Sequence, residues 1–406
     1  MEIYVHIPFC VKKCNYCDFL SAPADEAVRN LYVEALIKEI RQRANLFDAE
    51  NKVVTSIYFG GGTPSILTAR QIEKIIDEIR RGFSVNEDAE ITIEVNPKTA
   101  DEAKLRKLKE MGFNRLSIGM QSSHDSELKM LGRIHSFSDF EKCFHCARDA
   151  GFCNINVDIM TALPGQDEKK LAETLEKAVS FNPEHISAYS LIIEPGTVFY
   201  EKYGNIEGPV VGTSLERKLY WQSVDTLAKA GYRHYEISNF ARSGFEGKHN
   251  MGYWLRTPYL GAGLGAASCI CADAGRWLRT RNTDDLAEYL ENPYGYSEKI
   301  TLSRDDIIEE TFFLGLRMGR GVDLEAFKER FKVSAESIYA DVFGKLTEEG
   351  LIEIYNPGND NVSCDFSEQK KDKREAASSS VSSSFVRLTR KGIDYGNYVF
   401  AQFLLQ

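Results

Sequence analysis

The sequence predicts an α/β protein, a parallel sheet wound as a partial (β/α)6 TIM-like barrel with a winged-helix-like module behind it. Six apolar, strand-like runs recur at 3–7, 53–59, 90–95, 115–120, 154–160 and 185–192. Between them lie helical stripes such as Val33, Leu36, Ile37, Ile40 and Ile72, Ile75, Ile76, Ile79, spaced as on one face of an amphipathic helix. Strands alternating with helices in this way favour a parallel sheet whose site lies at the C-terminal strand ends. The third observation is the change of pattern after residue 302. Ser303 can cap a helix running to about Arg317, Ser334 caps another that ends before Gly350, and LIEI and FVRLT then read as two short strands.

Three regions follow: a barrel over 1–200, an α/β extension over 201–302 that is irregular and rich in aromatic residues, and a C-terminal module over 303–406. The module's two strands are joined by an insertion, about 357–384, whose SEQKKDKREAASSSVSSS stretch cannot build a core and is expected to be disordered. Its basic run reads as a solvated loop.

Composition removes several classes. A chain of 406 residues buries a large core without disulfides. Fifty Lys and Arg against 60 Asp and Glu leave a formal charge of -10, which argues against a nucleic-acid regulator acting through the winged module. No apolar run approaches the roughly 20 residues of a membrane helix. The opening MEIYVHIPFC shows no export or import signal, so a cytoplasmic setting is expected.

Nine cysteines, at 10, 14, 17, 143, 146, 153, 269, 271 and 364, are an odd number for a disulfide framework in a reducing compartment. Cys10, Cys14 and Cys17 crowd into C-VKK-C-NY-C just after the first strand. Three thiolates are one ligand short of closing either a tetrahedral zinc site or a 4Fe-4S cluster, which leaves an open position for a small molecule. Cys143 and Cys146 have metal-like spacing, but Phe140, Cys143, Phe144 and Ala147 form a helical core stripe; they and the other four cysteines are read as packing. Further motifs sit at strand ends: Gly60-Gly61-Gly62-Thr63-Pro64, then Glu94 with Asn96-Pro97, Gln121, and Asp158 within the fifth strand. Consecutive glycines let a ligand approach the backbone closely, and carboxylates amid apolar parallel strands are costly without partners.

HIPFC-VKK-C-NY-C followed in order by GGGTPS, IEVNP, IGMQS, LGRIH and LPGQ resembles the radical S-adenosylmethionine (SAM) superfamily, in the branch that contains the oxygen-independent coproporphyrinogen III oxidases and the HemW heme chaperones. The resemblance spans nearly the whole chain. It implies that Cys10, Cys14 and Cys17 each hold one iron of a 4Fe-4S cluster while SAM chelates the fourth. It also implies SAM contacts from Tyr4, Tyr16, Gly61, Gly62, Thr63, Glu94, Gln121, Arg133 and Asp158.

Within the branch, the oxidases carry a fourth cysteine where this chain has Phe19, and a longer N-terminal extension where only nine residues precede Cys10. The segment His249-Asn250-Met251-Gly252-Tyr253-Trp254 is similar to the heme-associated signature of the chaperones. The resemblance therefore implies a heme chaperone that passes heme to an acceptor protein, with His249 as heme-ligand candidate and Tyr253 and Trp254 sheltering the ring. A second heme ligand near 261–266 is not supported, because Ala266-Ala267-Ser268 stands where many relatives have Gly-Ala-His. The alternative is a radical SAM enzyme that decarboxylates coproporphyrinogen III.

Overall fold

Alternation builds the sheet. In β1 (Glu2–Ile7) the residues Ile3, Val5 and Ile7 are at most 1% exposed and share one face, while Glu2, Tyr4 and His6 share the other. The same two-residue period runs through β2 (Val53–Gly61), β3 (Ser84–Val95), β4 (Arg115–Gln121), β5 (Ile155–Thr161) and β6 (His185–Ser190). These six strands pair in chain order and all in parallel. The helices α1 (Glu26–Ala44), α2 (Ala69–Gly82), α3 (Glu102–Glu110), α4 (Asp125–Met130), α5 (Phe137–Asp149) and α6 (Glu168–Ser180) fill the connections. Helix α2 shows why the sequence folds this way. Thr68 and Gln71 form a reciprocal capping box, and Ile72, Ile75, Ile76 and Ile79 are all fully buried.

The computed structural model describes residues 1–47, 52–272, 275–357 and 384–405. It divides into two units, Met1–Ser223 with Thr257–Thr301, and Val224–Arg256 with Leu302–Gln406. The stretch expected as an extension over 201–302 is thus shared between them. From Val198 to Leu302 the chain forms α7 (Val198–Tyr203), α8 (Thr213–Lys229), β7 (Arg233–Glu236), β8 (Asn239–Ala241), α9 (Lys248–Trp254), β9 (Tyr259–Ala262), β10 (Ala267–Cys271), β11 (Trp277–Asn282), α10 (Leu286–Glu291) and β12 (Tyr296–Leu302). Irregular in pattern, it is regular in structure. Strand β9 adds in parallel to β1, and β10 and β11 continue antiparallel, so these residues belong to the sheet of the barrel.

In the second unit the capping box at Ser303 starts α11 (Arg304–Gly315). There follow β13 (Val322–Asp323), α12 (Leu324–Phe331), α13 (Ala335–Glu348), β14 (Ile352–Tyr355), β15 (Phe385–Leu388), α14 (Arg390–Asp394) and α15 (Gly396–Ala401). The strands lie in the order β13-β15-β14, the helix-plus-wing arrangement expected of this module. Apart from residues 357 and 384, the insertion lies outside the described residues, as does Cys364. No described helix is long and apolar enough to cross a membrane.

One buried carboxylate ties the late strands to α1. Glu39, fully buried, accepts from Gly263 N at 2.8 Å, the Tyr289 hydroxyl at 2.6 Å and Asn282 Nδ2 at 2.7 Å, with Arg43 Nε at 3.5 Å. Beside it the Tyr32 hydroxyl donates to His6 O at 2.7 Å and accepts from Leu264 N at 3.0 Å. Gly263, at φ 109°, has no room for a side chain, since a Cβ would stand 2.6 Å from His6 O. Removing one partner of a buried charged network leaves the others unsatisfied at a cost of about 3–5 kcal/mol. Glu39→Ala should therefore lower the unfolding free energy, read from denaturant titration, by an amount in that range, and Glu39→Gln, which keeps an acceptor, by less.

Candidate functional site

The cysteine loop is closed at its base and clamped in its middle. Phe9 bridges Ala22, Cys10 N donates to Ala22 O at 3.1 Å and Ala22 N to Pro8 O at 3.0 Å. Halfway round, Asn15 N donates to Leu131 O at 2.9 Å, its side-chain Nδ2 to Met130 O at 2.8 Å, and its carbonyl accepts from Phe199 N at 2.8 Å. Cys10, Cys14 and Cys17 are all free thiols. Burial pushes the Cys17 thiol up to about 11, and the nearby sulfurs of Cys14 and Cys10 add to that. Among the described residues no three His, Cys, Asp or Glu side chains are grouped to hold a single ion. A multi-iron cluster makes a different demand, one sulfur per iron, and three thiols on one clamped loop fit it.

The glycine-rich turn packs directly on this loop. Gly62 N donates to Ile7 O at 2.9 Å and Thr63 N to Phe9 O at 2.8 Å, while the Thr63 hydroxyl lies 3.4 Å from Cys10 Sγ. A Cβ on Gly62 would stand 2.7 Å from Phe9 O and 3.0 Å from Cys10 Sγ. Gly61, at φ 108°, would meet the His6 ring at 2.6 Å. These glycines are required first by the cysteine loop itself, so Gly62→Val would displace that loop as well as hinder a ligand.

From β1 to β6 the polar strand face carries a series of hydrogen-bonded pairs and clusters. The Tyr4 hydroxyl lies 3.1 Å from His6 Nδ1, and His6 Nε2 lies 2.9 Å from Leu20 O. A carbonyl only accepts, so Nε2 carries the proton and Nδ1 accepts from Tyr4. Tyr58 donates to Glu94 Oε1 at 2.9 Å. Asp158 accepts from Asn156 Nδ2 at 2.7 Å and from the Ser117 hydroxyl at 3.2 Å. Tyr189 donates to Gln121 Oε1 at 3.0 Å, and Gln121 itself adopts φ 64°. Arg133 reaches Gly119 O at 3.4 Å and Cys14 Sγ at 3.8 Å. Tyr16 packs against the buried cluster of Leu131, Met160, Leu163, Leu191 and Phe199.

Burial, reinforced by the neighbouring Asp158, pushes Glu94 up to about 8; burial raises Asp158 too. Burial thus disfavours the charged form of both carboxyl groups, and a cation or further donors beside them would favour it.

The structure gathers twelve of the residues singled out in the sequence: the three cysteines, Tyr4, Tyr16, Gly61, Gly62, Thr63, Glu94, Gln121, Arg133 and Asp158. His249 belongs to the other unit. It is 2% exposed, its Nε2 lies 3.0 Å from the Tyr253 hydroxyl, and the Trp254 ring is covered by the Arg317 guanidinium at 4.5 Å. Tyr253 and Trp254, expected to shelter a heme, are partly buried and make these contacts with neighbours within the unit. Sequence reasoning missed His6, Tyr58, Ser117, Asn156 and Tyr189. Their signal was the polar residue at every second position of an otherwise apolar strand.

The raised Glu94 carboxyl has a consequence for stability. Folded, it keeps its proton to about pH 8; unfolded, it loses it near its ordinary value of 4.5. Stability falls as pH rises through that window, by up to roughly 1.4 kcal/mol per pH unit. Glu94→Gln should therefore become steadily more stable relative to the parent between pH 5 and 8, with a constant difference below about pH 4, as read from unfolding midpoints.

Residues 4–178 match the radical SAM superfamily and residues 302–357 the HemN C-terminal domain. Among curated proteins, the heme chaperone HemW of Bacillus subtilis is 36% identical over 99% of this chain and 98% of its own length. That of Escherichia coli is 33% identical over 87% and 91%. A zebrafish (Danio rerio) protein named radical S-adenosyl methionine domain-containing protein 1, mitochondrial, is 34% identical over 85% and 78%. In fold, the chain is similar to E. coli coproporphyrinogen III oxidase, HemN, with a TM-score of 0.80 and 24% identity over 99% of this chain and 89% of that one.

Proposed function

Because the chain belongs to the heme chaperone HemW family of the radical SAM superfamily, we propose that it binds heme and delivers it to an acceptor protein, with a SAM-ligated 4Fe-4S cluster on the Cys10–Cys17 loop. The observation that carries the cluster assignment is the clamped loop with three free thiols beside the glycine turn. The cluster supplies, when bound, an iron without a protein ligand at which the amino and carboxylate groups of SAM can chelate. Thr63 holds Cys10 from the glycine side and Arg133 faces Cys14 from the turn after α4. Glu94 and Asp158 are placed to accept from the ribose hydroxyls or ammonium of SAM, and Gly61, Gly62, Gln121, Tyr4 and Tyr16 complete its surroundings. Phe19, 59% exposed, stands where the oxidase branch has a further cysteine, which supports chaperone over oxidase. The reading keeps the cytoplasmic, reducing setting and a proteinaceous heme acceptor.

Cys143 is buried in α5 with Phe140, Phe144 and Ala147, which makes it a control for the cluster ligands. After anaerobic reconstitution, Cys14→Ser should lose the iron–sulfur absorbance and Cys143→Ser should keep it; like behaviour of the two would end the assignment.

The purified chain should bind heme and form no protoporphyrinogen from coproporphyrinogen III, SAM and reductant. Product formation under those conditions would promote the oxidase reading. For the heme ligand, His249→Ala should shift the Soret band and weaken binding. Tyr253→Phe removes the hydroxyl that occupies His249 Nε2, so heme association should become faster in stopped flow. Unchanged spectra in His249→Ala would move the ligand elsewhere.

A further inference from the structure

The loops after β2 and β3 carry Gly61–Thr63 and Glu94–Asn96, and something has to set the distance between them. Ser65, fully buried, is the hub on the first loop. Its hydroxyl lies 2.5 Å from the Thr99 hydroxyl and accepts from Asn96 N at 3.2 Å. Thr99 in turn donates through its hydroxyl to Asn96 O at 2.8 Å and through its N–H at 2.9 Å. Across this hub lies Lys104, from the first turn of α3, whose N–H is capped by Asp101. Lys104 Nζ donates to Ser65 O, on the β2 loop, and to Thr99 O at 3.1 Å, on the β3 loop.

A lysine amine is seldom used this way. Among the described residues Lys104 forms no ion pair, and burial lowers its pKa to about 8 although the Asp101 carboxylate nearby acts in the opposite direction, so the partly desolvated amine depends on its hydrogen-bond acceptors. Its compensation comes from two backbone carbonyls, which it can hold only while the two loops keep their separation. The side chain lines a cavity of about 720 Å³ bounded by the Thr68–Ala69 and Pro97–Asp101 segments and by α3 and α5. It therefore braces the loops from outside the strand ends, away from the cysteines.

We infer that Lys104 is a positioning residue for the SAM site: it fixes the loop carrying Gly61, Gly62 and Thr63 against the loop following Glu94, without touching the ligand. The inference rests on the proposed placement of SAM. It reaches the cysteines through the chain Lys104, Ser65, Thr63 and Cys10, and it reaches Glu94 through Thr99 and Asn96. Outer residues of this kind change ligand affinity by about 10- to 100-fold when removed.

The test uses the full-length, reconstituted chain. Lys104→Met should weaken SAM binding about tenfold in calorimetry, at unchanged iron content, and should reduce the change that SAM produces in the EPR spectrum of the reduced cluster. Lys104→Arg, which keeps a cationic donor, should restore both. Hydrogen exchange on the chain without SAM should rise in 61–66 and 95–100 in Lys104→Met and stay unchanged in α1. Should Lys104→Met fail to fold, Thr99→Val, which removes the Ser65–Thr99 contact, carries the same expectation in milder form. Parental SAM affinity in Lys104→Met, or failure of Lys104→Arg to rescue it, overturns the inference. A parent chain that binds no SAM would instead overturn the reading of the site, and the exchange rates alone would then decide whether Lys104 holds the loops.

Discussion

A parallel sheet with polar residues along one face has to satisfy each of them from within that face, and the rest of this molecule follows from how it is done. An apolar row can be packed by any well-fitting helix; a polar row needs specific partners at hydrogen-bond distance. Here Tyr4 is matched with His6, Tyr58 with Glu94, Ser117 and Asn156 with Asp158, and Tyr189 with Gln121. These matches lie within and between neighbouring strands on one face, so a slip by one residue would bury the groups against the helices. That penalty pins the register of six strands and brings together two buried carboxyl groups, Glu94 and Asp158, both pushed upward by burial.

The cysteine loop depends on the same ends. Its first anchor is the parallel register of β1 and β2, which puts Gly61 beside Ile7 and carries the turn onward over Phe9 and Cys10. Its second is Asn15, whose partners, Met130, Leu131 and Phe199, lie far along the chain. A loop of this size without such anchors would sample many arrangements of its three sulfurs. Holding them before any metal arrives removes part of the ordering cost from binding.

Much of this was legible in the sequence because it is local. The six strands, the helix cap at Ser303, and the core stripe containing Cys143 are patterns of a dozen residues or fewer. The glycine run was legible as a place where chain or ligand approaches closely; in the structure Gly60 meets Tyr58 and Tyr4, Gly61 the His6 ring, and Gly62 Phe9 and Cys10. The fate of 201–302 was not legible. Strand β9 finds its partner more than 250 residues upstream in β1, Gly263 meets Glu39 across a comparable separation, and α9 joins residues beyond 302. Strands of three to six residues carry too little periodicity to announce pairings of that range. Lys104 was hidden for a related reason: in sequence it is one of several lysines on an exposed helix, and only the fold shows its amine between two carbonyls.

The six-residue segment at 249–254 shows how a motif can be right in composition and different in arrangement. Histidine, tyrosine and tryptophan at this spacing on a short helix suggest an open aromatic shelf, yet the helix faces inward: His249 is buried, Tyr253 occupies its Nε2, and Trp254 lies under Arg317. On the proposed reading, His249 would offer its imidazole to heme iron, and the Tyr253 hydroxyl at 3.0 Å from Nε2 would compete for that nitrogen, so the apparent affinity would be the intrinsic one reduced by the fraction of time the pair is open. For an enzyme with a resident heme this would be a handicap. For a carrier it is useful, because the hydroxyl that competes for the imidazole during loading is also the group that re-forms its bond when heme departs. On that proposal, such an internal competitor would weaken retention of the ligand without any contact to an acceptor.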